Sequence, residues 1–192
     1  MFVDESGADQ RSGYSKLAWA PVGQTPTRTT TLGRTERWQI LPAYHQDGVI
    51  CSRVYLGSTD LELFEDFFEK DLLPLMQPWP APKSVLVMDN ASFHKSERIE
   101  TLCAQRGVKL EYLPPYSCDL NPIEEFFSEL KTALRQNWRA WNTRSKEEGR
   151  SYGQFLNWCI EAIGGNAAHA RAHFGNCMLS VEEYIHHQWI WH

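Results

Sequence analysis

Apolar and polar residues follow two different periods along this chain, and the change comes near residue 58. Before it, short runs predict strands. Met1-Phe2-Val3 is an apolar start, and Glu5-Ser6-Gly7 reads as a turn. Tyr14 to Ala20 alternates like a half-buried strand, and the Pro21–Pro26 stretch breaks it. Arg37–Tyr44 and Val49–Leu56 are two further strands, joined through His45-Gln46-Asp47-Gly48, whose Asp-Gly pair signals a hairpin. After residue 58, Leu61, Phe64, Phe68, Leu72 and Leu75 fall three or four apart, as on a helix that Ser58 or Thr59 can cap. Four prolines between Pro74 and Pro82 end it. Ser84–Met88 is a continuous apolar run, the pattern of a strand buried on both faces, and it stops at Asp89-Asn90.

A helix from about Ser96 to Arg106 closes at Gly107, and Val108–Leu113 predicts another buried strand. Asn121-Pro122 then opens a long helix, with Asn as the cap and Pro at its first position. Further helices fill the remainder. Strands, then strand–helix–strand–helix, then helices describe a mixed α/β sheet with helices packed on it.

Composition narrows the class. With 192 residues and 42% apolar positions, the chain is enough for one domain with a sizeable core. Eight tryptophans favour dense packing. No apolar stretch has the length of a membrane span, and no basic-then-apolar leader opens the sequence, so neither a membrane partner nor secretion is expected. The expected location is the nucleus in a eukaryote and the cytoplasm otherwise. Five scattered cysteines with no CxxC pair argue against a disulfide framework and against zinc. The net charge of −5 excludes a general nucleic-acid-coating protein, so any DNA contact needs a local basic face.

Three carboxylates stand at the ends of predicted elements. Asp4 follows the first strand, Asp89 follows the buried strand, and Glu124 sits in the first turn of the long helix. Sheets with helical crossovers place their sites at the carboxyl ends of strands. Three carboxylates meeting there would repel one another unless a cation joined them, and hard oxygen ligands suit Mg²⁺ or Mn²⁺. The plain alternative for each one alone is a turn or helix-cap residue.

The segments Phe2-Val3-Asp4-Glu5-Ser6-Gly7, Val87–His94 and Leu113–Glu125 resemble the catalytic domain of mariner-superfamily transposases, which include the Tc elements and belong to the DDE endonucleases. The 34 residues between Asp89 and Glu124 fit that pattern, and Trp19–Pro26 extends the similarity. Cys118 stands where the family more often has proline.

The resemblance implies an RNase H-like fold with helices on both faces of the sheet and a helical C-terminal part. It implies divalent-metal-dependent cleavage and strand transfer on DNA, at transposon ends and target, with Asp4, Asp89 and Glu124 as ligands of two Mg²⁺ or Mn²⁺ ions. Asn90 and His94 would support them, and the assembly admits a homodimer. Glu5 and Glu125 are neighbours of the ligands and are expected to point elsewhere. Residues 1–192 are read as a single catalytic domain with a clipped first strand and without the helix-turn-helix region of complete transposases, hence as a truncated or remnant enzyme. The alternative is an inactive, domesticated fold that binds DNA or protein.

Along the long helix, Glu124, Ser128, Lys131, Arg135 and Arg139 form one stripe, and Ile123, Phe127, Leu130, Leu134, Trp138 and Trp141 form another. The second should face the core. The first could follow DNA phosphates away from the metal site or simply be a solvated face. Thr27–Thr31 with Arg34 and Arg37 reads as an edge strand, and His186, His187 and His192 with Trp189 and Trp191 as a terminal helix.

Overall fold

In the computed structural model, residues 1–14, 19–27, 36–91 and 94–179 are described. The strands are β1 (Phe2–Val3), β2 (Ser6–Ala8), β3 (Trp38–His45), β4 (Gly48–Leu56), β5 (Val85–Met88) and β6 (Lys109–Tyr112). The α-helices are α1 (Leu61–Phe67), α2 (Glu97–Arg106), α3 (Pro122–Glu148), α4 (Tyr152–Gly164) and α5 (Ala167–Asn176).

One mixed sheet joins all six strands. β3 pairs antiparallel with β4 on one edge and with β1 and β2 on the other. β1 then pairs parallel with β5, and β5 parallel with β6. The β3–β4 hairpin turns where Gly48 takes a φ of 111°, a conformation that favours glycine.

β1 and β2 are one strand with a gap. Phe2 and Val3 lie opposite Tyr44 and Ala43, and Ser6 lies opposite Ile40. The register is therefore continuous, and it sets Asp4 and Glu5 against Pro42 and Leu41. Pro42 has no N–H, so the ladder loses a donor there. The strand is longer than the clipped three residues read from sequence, and Glu5-Ser6-Gly7 continues it instead of turning. The reason is that β3 supplies pairing partners that local turn propensity does not register.

Alternation along the strands sorts the core into two layers. Phe2, Ile40 and Tyr44 face α3, α4 and α5, where they pack with Phe126, Leu130, Phe155 and Phe174. Val3, Leu41, Leu86 and Met88 face α1 and α2, packing with Phe64, Phe67, Phe68 and Ile99. Packing on the first face is close. An added Cβ on Gly153 of α4 would run into the Trp38 ring.

Three local expectations are corrected. Asp60, not Ser58 or Thr59, caps α1, its Oδ1 accepting from Leu63 N at 2.9 Å. β6 is a half-exposed edge strand, with Lys109 and Glu111 in solvent, since nothing pairs with its outer side among the described residues. β5 buries Leu86 and Met88 on one face while Val85 and Val87 are half-buried. The predicted strand at Tyr14–Ala20 falls largely on residues outside those described, and Trp19 is fully exposed. The Thr27–Thr31 run past Thr27 and the terminal His/Trp segment also lie outside the described residues. No described helix is long and apolar enough to cross a membrane.

Candidate metal centre

Asp4, Asp89 and Glu124 come together around one cavity of about 260 Å³, with Asn90, Tyr116 and Asn121 also in its lining. Neighbouring parallel strands supply the two aspartates, Asp4 just past β1 and Asp89 just past β5. β6 leads through Leu113–Asn121 to α3, whose first turn carries Glu124. The three carboxylates share the cavity without touching. The described acidic and imidazole groups with donor atoms within 4.8 Å of one another are instead Asp4, Glu5 and His94.

Asp4 is 9% exposed. Its Oδ1 accepts from Glu5 N at 2.8 Å and its Oδ2 from Asn121 Nδ2 at 3.2 Å. Burial pushes its pKa up to about 7, the Glu5 N–H partly offsets this, and the negative charges of Glu5 and Asp89 raise it further. A carboxylate held this way gains most from an arriving cation.

Asp89 accepts from Ala91 N at 3.0 Å and meets His94 Nδ1. His94 is buried, and its Nε2 lies 2.9 Å from Glu5 Oε2. Its ring stacks on Phe64 at 4.9 Å between centroids. Burial opposes a charge on this imidazole, but Glu5, Asp89 and Asp4 outweigh that effect and hold its pKa above the ordinary histidine value. One histidine thus ties the gap in the first strand to the end of β5. Glu5, expected to point away from Asp4, instead has a carboxylate oxygen within 4.8 Å of Asp4's and 2.9 Å from His94 Nε2.

Sequence reasoning missed the part that Asn121 plays. Its side chain does not cap α3. Glu124 N bonds the main-chain carbonyl of Asn121 at 3.1 Å, and the Asn121 amide turns to Asp4. Its Oδ1 is buried with no hydrogen-bond partner. A buried acceptor left unpaired costs about 1–3 kcal/mol. No local feature of the sequence marks this role, because Asn followed by Pro is an ordinary helix start.

On α3 the expected stripes separate cleanly. Ile123, Phe127, Leu130 and Leu134 are buried, with Trp138 and Trp141 packed against them. Glu124, Lys131 and Arg139 are exposed, and Arg135 is half-buried with Nη2 on Thr132 Oγ1 at 3.0 Å. Asn90 lines the cavity beside Asp89.

Strand order, strand directions and helices on both faces are those of the RNase H-like fold. The mariner Mos1 transposase in its paired-end complex with Mg shares it, at a TM-score of 0.62 and 17% identity, over 95% of this chain and 54% of that one. A retroviral intasome chain from simian T-cell lymphotropic virus aligns with 84% of this chain and 47% of that one, at a TM-score of 0.51 and 12% identity. The chain belongs to the DDE superfamily endonucleases, whose family profile matches residues 1–146. The Tcb1 transposable-element transposase of Caenorhabditis briggsae is 32% identical over 91 residues, 47% of this chain and 33% of that protein. The chain thus spans about half of the Mos1 transposase chain it matches.

Proposed function

We propose that this chain is the catalytic domain of a transposase that cuts and rejoins DNA phosphodiesters with divalent cations. One observation carries the reading: Asp4, Asp89 and Glu124, far apart in sequence, line a single cavity at the ends of adjacent parallel strands and the first turn of α3. The donor set fits Mg²⁺ or Mn²⁺, being carboxylate-rich, partly buried and beside an unpaired amide oxygen. Mos1 complexes described with Mg and with Mn support the same choice.

Asp4, Asp89 and Glu124 would hold the ions, which would supply an activated water or hydroxyl and stabilise the departing oxygen. The chain's own groups do the rest. His94 keeps Asp89 and Glu5 in place, and Asn121 keeps Asp4. Asn90 stands beside Asp89 as a supporting group. Lys131, Arg135 and Arg139 run along α3 away from Glu124 and would contact phosphates of DNA leading into the cavity. DNA, as transposon end and as target, is the substrate in this reading, and a second copy of the chain is the expected partner, in line with the paired-end arrangement of Mos1.

The test is Mg²⁺- or Mn²⁺-dependent nicking of duplex DNA. Asp89→Asn should lower it by at least about 10³-fold with an unchanged fold by circular dichroism. Undiminished cutting by that variant overturns the proposal.

A further inference from the structure

We infer that Asn121 is a positioning residue for the metal centre, acting through the nitrogen of its side-chain amide, which fixes Asp4. The inference rests on the metal-dependent reading above and adds to it a residue that never touches the ion.

Three observations meet at this side chain. Asn121 is 5% exposed, so its polar atoms have no bulk solvent to bond. Nδ2 lies 3.2 Å from Asp4 Oδ2. Oδ1 bonds none of the first amides of α3, and Glu124 N bonds the main-chain carbonyl of Asn121 at 3.1 Å, so the side chain serves Asp4 and not the helix.

The nitrogen end carries the role. With Glu5 N on one oxygen of Asp4 and Asn121 on the other, the carboxylate is fixed in rotation, and its remaining lone pairs stay directed at the ion. Outer partners of this kind typically change metal affinity by about 10–100-fold when removed.

The measurement is Mn²⁺ binding to the whole chain by electron paramagnetic resonance, with metal-free melting recorded beside it. Asn121→Leu keeps the volume and removes the hydrogen bond to Asp4. It should weaken Mn²⁺ binding about 10-fold or more while the metal-free melting temperature stays within a few degrees of wild type. Asn121→Ser, which restores one small polar group, should recover part of the affinity. If Asn121→Leu does not fold, Asn121→Ala carries the same expectation. Wild-type affinity in the folded Leu or Ala variant overturns the inference and leaves the metal centre standing. Failure of the unmodified chain to bind Mn²⁺ defeats the metal-dependent reading itself.

Discussion

The two faces of the sheet hold their shares of the cavity by different physics. Asp4 belongs to the side built from α3, α4 and α5, where support comes from aromatic packing. Trp138 meets Tyr152 edge-on at 5.5 Å, Trp141 lies 5.2 Å from Phe155, and Phe2 meets Phe174 at 5.4 Å. Asp89 and Glu5 are tied by His94 to the side of α1 and α2, which is laced with charge. There Arg53 bridges Asp66 at 2.9 Å and Asp71 at 2.6 Å, Arg98 pairs with Glu69 at 2.6 Å, and Ser96 bonds Glu65. Packing of the first kind is indifferent to salt and pH, whereas the second responds to both. The cavity sits on the seam between a rigid support and a tunable one.

The largest expected effect lies on the aromatic side. Phe155 is fully buried among four aromatic neighbours, so Phe155→Ala should cost about 3–5 kcal/mol, equally at low and high salt, by denaturant unfolding. A strong salt dependence of that loss would erase the contrast.

Asp4 should show as a pH effect of up to about 4 kcal/mol. Its carboxyl titrates near 3.8 unfolded and at about 7 folded, so the folded state binds its proton more tightly. The contribution to stability is complete below pH 4, is lost as pH rises from 4 to 7, and is level above that. Asp4→Asn should remove this slope, melting above wild type at pH 8 without metal, and should lose the stabilisation that Mn²⁺ confers. A pH profile of stability unchanged by Asp4→Asn would contradict the buried placement.

His94→Gln breaks the tie between Glu5 and Asp89. It should weaken Mn²⁺ binding about tenfold, as removal of an outer partner of a ligand does, measured by metal titration. Smaller still is Arg53→Ala, at roughly 1 kcal/mol in low salt and less at 1 M salt, since its partners are a third exposed. Smallest for stability is Arg139→Ala, which should leave melting unchanged but lower the salt slope of DNA binding by about one counterion.

Much of this was legible beforehand because it is periodic. The two stripes of α3, the β3–β4 hairpin and the strand leading to Asp89 follow from spacing alone, and Asp4, Asp89 and Glu124 mark the ends of elements. What escaped depends on partners distant in sequence. Nothing near Glu5 announces that His94, 89 positions away, will receive its carboxylate. Asn121 carries every local mark of a helix cap, and its side chain leaves that post only because Asp4 lies 117 positions away in sequence and within reach. β6 reads as buried because Val108, Leu110 and Tyr112 look like core residues, while the solvent beside it is a matter of sheet order.

Pro42 carries a consequence for how such a chain could change its occupation. Exchanging its ring for an ordinary residue such as alanine would supply one backbone N–H opposite Asp4, a bond worth about 1 kcal/mol. The sharper fastening would pull the first carboxylate toward regular pleating, away from the company it keeps around the cavity. A single substitution, 38 positions from Asp4 in sequence, would then favour a sturdier scaffold over the proposed metal-dependent role.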